Sequence, residues 1–126
     1  MKPLVLSLAA LAAILAFSLW SGYYVAERTE TWSAQLSVAD EYAQQERWED
    51  AEAQLQLAYD DWCTSQTFFH TIMEHDELDE AESLFATAYA ACDERDVPDF
   101  HAAMAQLATQ LSLLAETQAV SVKNIL

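Results

Sequence analysis

Between Lys2 and Glu27 the chain carries no charged residue, and residues 4–20 are almost entirely Leu, Ala, Val, Ile and Phe. A bilayer's hydrocarbon core is crossed by about 20 apolar residues rising 1.5 Å each, and in lipid a single segment must satisfy its own backbone by becoming a helix. Trp20, Tyr23 and Tyr24 follow directly, where an interfacial aromatic belt belongs. Residues 1–26 are therefore predicted to be a transmembrane anchor. The alternative is a signal peptide, which would share the Lys2 start and the apolar centre. Cleavage calls for small residues in an A-x-A-like pattern, which Trp20, Ser21, Gly22 and Tyr23 match poorly. No Cys follows the run to accept a lipid.

Residues 27–126 are expected to form one acidic helical-bundle domain, since roughly 100 residues suffice for one modest core and not for two. The chain has one Gly, Gly22, and two Pro, Pro3 and Pro98, so the punctuation of hairpins and sheets is nearly missing. Apolar residues recur at steps of three and four. Trp32, Leu36, Ala39 and Ala43 mark a first stripe, and Trp48, Ala51, Leu55, Ala58, Trp62 and Phe69 a second. Leu78, Ala81, Phe85, Ala88 and Cys92 mark a third; Phe100, Met104, Leu107, Leu111 and Leu114 mark a fourth. The fold expected is all-α: an N-terminal transmembrane helix followed by an up-and-down antiparallel bundle of about four helices. Trp48 and Ala51 echo a tetratricopeptide pair, but no period of about 34 residues recurs.

Breaks are expected at Glu46 and Arg47, across the polar cluster from His75 to Asp79, and around Asp96, Val97, Pro98 and Asp99. Asp96 is suited to cap the fourth helix, and Pro98 to sit in its first turn. Short connections make consecutive helices antiparallel, so the His75 break and the tail from Ser121 should share the membrane-proximal end, with Lys123 near the acidic turn.

The formal charge is −16, from 21 acidic and five basic residues, and every acidic residue lies from Glu27 onward. Such a surface repels nucleic-acid phosphates and anionic headgroups, so no nucleic-acid partner is expected and the domain should stand off the bilayer. Lys2 and Arg28 place one basic residue on each flank of the anchor; a short N-terminal tail and a large C-terminal domain suit N-in, C-out insertion. The localisation expected is the cell membrane, single-pass, with the acidic domain extracytoplasmic.

The landmarks Trp48 with Ala51, Leu55 and Trp62, the run Glu74, His75, Asp76, Glu77, Leu78, Asp79, and the ending Ser121, Val122, Lys123, Asn124, Ile125, Leu126 resemble the bacterial family called domain of unknown function 4363. The resemblance covers nearly all of the chain after the anchor. It implies a short membrane-anchored protein with a helical remainder and supplies no reaction.

The densest candidate site is the polar cluster. His70 and Glu74 are spaced i, i+4, and His75 and Glu77 follow, so metal-ligand types are concentrated. Neither zinc motif fits the spacing, and the loop lacks the glycine of a calcium-binding hand. The plainer reading is an acidic first turn of the third helix, with His75 closing the second. Cys63 and Cys92 fall at similar heights on neighbouring helices: an oxidising compartment would permit a disulfide, and the alternative is two packed thiols. The tail Asn124, Ile125 and Leu126 either docks between helices or presents a short peptide to a partner. Trp32, Trp48 and Trp62 lie on apolar stripes and are assigned to the core; His101 is expected to be exposed. No triad, phosphate loop or dinucleotide fingerprint occurs. The expected function is non-enzymatic, with no cofactor: an interaction or accessory module that meets the lipid bilayer through residues 4–26 and an envelope protein through its bundle, the alternative being a cation-binding acidic domain.

Overall fold

The computed structural model describes residues 2–125, and the side-chain surroundings of residues 2–120. Among the described residues the chain forms four helices: α1 (Lys2–Gln44), α2 (Trp48–Ile72), α3 (His75–Glu94) and α4 (Val97–Ile125). The expected anchor and the first bundle helix are one element. With 43 residues, α1 is about 65 Å long, roughly twice a hydrocarbon core.

The helices close a four-membered ring: α1 packs against α2 and α4, and α3 packs against the same two from the opposite side. Three-and-four spacing carries through each stripe into the core, where Trp32, Leu36, Leu55, Trp62, Phe69, Phe85, Leu107 and Leu111 are at most 1% exposed. Trp32 stands edge-on to Trp62 with ring centroids 5.6 Å apart, and both touch Phe69. Edge-to-face pairing of this kind adds about 1 kcal/mol beyond the area buried.

The packed stripe does not begin at residue 27. Val25 is fully buried, as are Ser21 and Ser18 below it, so bundle packing reaches into the expected anchor. Below Ser18 the helix is bare but for a half-shielded Leu15: Leu6 is 70% exposed and Phe17 50%. A soluble helix of this composition would bury those side chains; this one is long and apolar enough to cross a membrane.

The two turns at the end far from the bare segment share one construction. After α1, Glu46 N–H donates to Ala43 O at 2.9 Å and Arg47 N–H to Tyr42 O at 2.8 Å. After α3, Arg95 N–H donates to Cys92 O at 3.1 Å and Asp96 N–H to Ala91 O at 3.4 Å. Both are Schellman closures, in which a left-handed residue turns the chain so that two N–H groups satisfy orphan carbonyls. Glu46 (φ 59°) and Arg95 (φ 55°) occupy that position, although Gly is the residue it favours. Arg47 offsets part of the strain by lying 4.6 Å from the centre of the Tyr42 ring.

Asp96 caps α4 as expected: its Oδ1 accepts the N–H of Asp99 at 3.0 Å. The break near His75 is displaced. It consists of Met73 and Glu74 in extended backbone, and His75 opens α3 instead of closing α2. The acidic first turn is as read, with Asp76 and Glu77 at the positive end of the α3 dipole.

Candidate functional site

Two carboxylates grip the tryptophan core from outside. An indole buried in an apolar core still carries an N–H that must find an acceptor, and Trp32 and Trp62 each reach the rim for one. Trp32 Nε1 donates to Asp61 Oδ2 at 2.6 Å, and Arg28 donates to the same oxygen at 3.0 Å. On the opposite side of α2, Glu82 accepts three bonds: from the Tyr59 hydroxyl at 2.5 Å, Trp62 Nε1 at 2.9 Å and Gln66 Nε2 at 3.0 Å. Asp61 ties α1 to α2, and Glu82 ties α3 to α2. The Tyr59 hydroxyl, by donating to the Glu82 carboxylate and by its burial, is held well above its usual pKa of 10.0. Both carboxylates serve as acceptors for donors of neighbouring helices.

Abundant acid hid these two residues, since carboxylates everywhere read as composition. The signal was the adjacent indole: assigning Trp32 and Trp62 inward obliges an acceptor at the edge of each stripe.

At the α2–α3 turn, His70 and His75 face one another with Nδ1 atoms 3.1 Å apart and ring centroids 5.0 Å apart. Glu74 does not share a helix face with His70 as the i, i+4 spacing suggests, because α2 stops at Ile72 and Glu74 stands in extended backbone just before α3, without a capping bond from its side chain. Glu77 turns partly inward, and its Oε2 is buried without a partner. Among the described residues no three His, Cys, Asp or Glu side chains converge as a ready-made metal site.

Cys63 is exposed, Cys92 is buried, and both are free thiols. Burial, reinforced by the carboxylate of Glu52, pushes the Cys92 thiol pKa up and suppresses its thiolate. His101 is exposed and binds Asp40 Oδ2 at 2.7 Å, clipping α4 to α1. Of the tail, Asn124 and Ile125 belong to α4 by their backbone. Their side chains and all of Leu126 lie outside the described residues, as does the Lys123 side chain expected near the acidic turn.

Beside α1 lies a shallow groove of about 510 Å³, lined by Glu27, Glu30, Thr31, Ala34, Gln35 and Val38 of α1 and by Gln54 of α2. Gln35 Oε1 is buried there without a hydrogen bond.

Buried polar pairs continue down to the bare segment. The Tyr24 hydroxyl and Ser65 Oγ are 3.1 Å apart. Gln118 Nε2 of α4 donates to Ser21 Oγ of α1 at 3.1 Å, and Ser21 Oγ donates in turn to Ser18 O at 3.0 Å.

Comparison with curated proteins and with solved structures gives no match to this chain. A family model described as a domain of unknown function (DUF4363) matches residues 19–125, beginning where α1 starts to bury side chains against the bundle. The match spans all four helices, and the chain belongs to the DUF4363 family.

Proposed function

We propose that the protein is a single-pass membrane-anchored module whose acidic bundle binds another component of the bacterial cell envelope and catalyses no reaction. The observation that carries this reading is α1 itself: one unbroken helix holds a bare apolar segment at one end and supplies a core stripe of the bundle at the other. The bundle is thereby fixed to the anchor without a hinge. The groove along α1 presents Glu27 and Glu30 just above the aromatic belt, which suits a basic partner. An extracytoplasmic bundle follows from the N-in insertion favoured by chain order.

The test is affinity capture from detergent-solubilised membranes with the native chain and with Glu27→Lys/Glu30→Lys. A partner retained by the native chain, released by salt and lost from the variant supports the reading. Equal capture by both refutes the groove, and protease protection of the bundle in spheroplasts refutes the orientation.

A second reading, cation binding, rests on the His70–His75 pair. Two imidazoles bound to one tetrahedral zinc at about 2.0–2.1 Å place their nitrogens a little over 3 Å apart, and the Nδ1 separation is 3.1 Å. The two nitrogens share a hydrogen bond, and a borderline transition-metal ion could take the place of its proton, with water completing the shell; calcium, which takes oxygen ligands, could not. Calorimetry with zinc, calcium and magnesium decides: heat with zinc alone, lost in His75→Ala, supports it, and silence with zinc ends it.

A further inference from the structure

Helix α4 is longer than the bundle requires. It has 29 residues against 20 in α3, and the two share a tight turn at Arg95 and Asp96. Antiparallel partners of unequal length cannot end together: nine further residues carry α4 about 13 Å beyond His75. The register against α1 points the same way. Asp40 meets His101 and Ser21 meets Gln118, so each step along α4 descends one step along α1, and Ile125 comes level with about Leu15. The burial of α1 records the overlap. Between residues 2 and 20 only Leu15 and Ser18 are shielded, three residues apart on the face towards α4.

Acidic residues disappear from both helices at about one height. On α1 the first charged residue above the anchor is Glu27, and on α4 the last acidic residue is Glu116, one half-turn before the Gln118–Ser21 bond. Within residues 117–126 the only charged residue is Lys123, a type tolerated at a membrane interface because its long stem reaches headgroups. On the outward face of this segment Val120 is 56% exposed, and Leu113, two turns above it on the same face and beyond the segment, is 48% exposed.

We propose that residues 117–125 of α4 enter the bilayer beside α1, so that the leaflet nearest the bundle holds a helix pair and the outward face of α4 packs against lipid acyl chains. The proposal rests on α1 spanning the membrane. It turns the Gln118–Ser21–Ser18 chain into an interhelical clasp at the membrane surface, where small residues let backbones approach and a hydrogen bond has little competing water. It also revises the expectation that the whole domain stands off the bilayer: the acidic waist does, and the foot does not.

The test uses the full chain with Cys63→Ser, since Cys92 is buried, reconstituted in phosphatidylcholine vesicles. A polarity-sensitive fluorophore is placed on one introduced cysteine, Phe17→Cys, Leu57→Cys or Val120→Cys, with Asn124→Cys one turn beyond Val120. Lipids brominated high on the acyl chain are the quencher. Labels at 17, 120 and 124 should be quenched at least twofold more than the label at 57, which reports the water-facing waist. Quenching at 17 with 120 and 124 behaving like 57 overturns the proposal and leaves the anchor standing. No quenching at 17 overturns the anchor and the proposal with it. Ala119→Cys, at another exposed position, repeats the measurement if Val120→Cys loses the parent's helical signal.

Discussion

Glu82 holds three donors of α2 at once, which makes its loss the sharpest test of how the bundle is held together. In Glu82→Ala the Tyr59 hydroxyl, the Gln66 amide and the Trp62 indole N–H all lose their acceptor. Tyr59 and Gln66 are partly exposed and recover water, so each forfeits only the net worth of its bond, about 1 kcal/mol. Trp62 is fully buried, and stranding its N–H costs about 1–3 kcal/mol. The total is about 3–5 kcal/mol, a large share of the 5–15 kcal/mol that holds a domain together. At about 4–8 °C per kcal/mol for a domain near 100 residues, thermal melting by circular dichroism in detergent micelles should fall by about 12 °C or more. Glu82→Gln, which keeps one acceptor oxygen, should lose less than half as much. Tyr59→Phe should cost about 1 kcal/mol in the native chain and almost nothing in Glu82→Ala, because the bond is already gone. A change of less than 1 kcal/mol in Glu82→Ala, or additivity of the two substitutions, would show that the carboxylate is a bystander on a core that packs without it.

Glu46→Gly and Arg95→Gly relieve left-handed residues of their Cβ penalty, and each should stabilise by about 0.5–1 kcal/mol in the same melts; destabilisation of both would mean the Schellman closures misdescribe these turns. Asp96→Ala removes the acceptor for the Asp99 N–H and should cost about 1 kcal/mol, with Asp96→Asn nearly neutral. Tyr59 is held above its usual pKa by its bond to Glu82 and by burial, and Tyr89 is pushed up to about 12 by burial with Asp60 and Glu52 beside it. A folded state that holds a proton more tightly than the unfolded chain keeps that stability below pH 10 and loses it as pH climbs towards 12. The melting temperature should therefore fall across pH 10–12, and the fall should shrink in Tyr59→Phe/Tyr89→Phe; an unchanged slope in the double variant would assign alkaline loss to other groups.

Helix number, the stripes and the Asp96 cap were legible because each follows from local spacing and residue type. Trp62 steps seven from Leu55 and seven to Phe69, and no tertiary knowledge is needed to put all three inward. What spacing could not convey is where one helix stops being anchor and starts being core. Ser18 and Ser21 are small and polar, so they carry no apolar signal, yet they are buried because α4 lies over them. The placement of His75 failed for a related reason: Met73 belongs to the apolar stripe by type, but its backbone is extended, and nothing apolar marks that loss of helix. Asp61 and Glu82 were invisible singly among 21 acidic residues. They become visible only when each buried indole is asked for its acceptor.

The bundle is stiffened unevenly, and the unevenness follows the anchor. Asp61, Arg28 and Trp32 lock α1 to α2, and Gln118 with Ser21 locks α1 to α4. Helix α3 lies diagonally across from α1: it packs against α4, where Gln110 donates to Glu77 O, and its polar ties to α2 are the Glu82 bonds and the Tyr89 hydroxyl that donates to Gln56 Oε1. Loss of the Glu82 bonds therefore loosens the α2–α3 seam first, while the polar ties among α1, α2 and α4 stay in place. Hydrogen exchange should show the α3 amides opening at lower free energy than those of α1, and Glu82→Ala should widen that gap without touching the amides around Ser21. Uniform protection across all four helices, lowered equally by the substitution, would instead make the bundle one cooperative unit in which the anchored helix has no special standing.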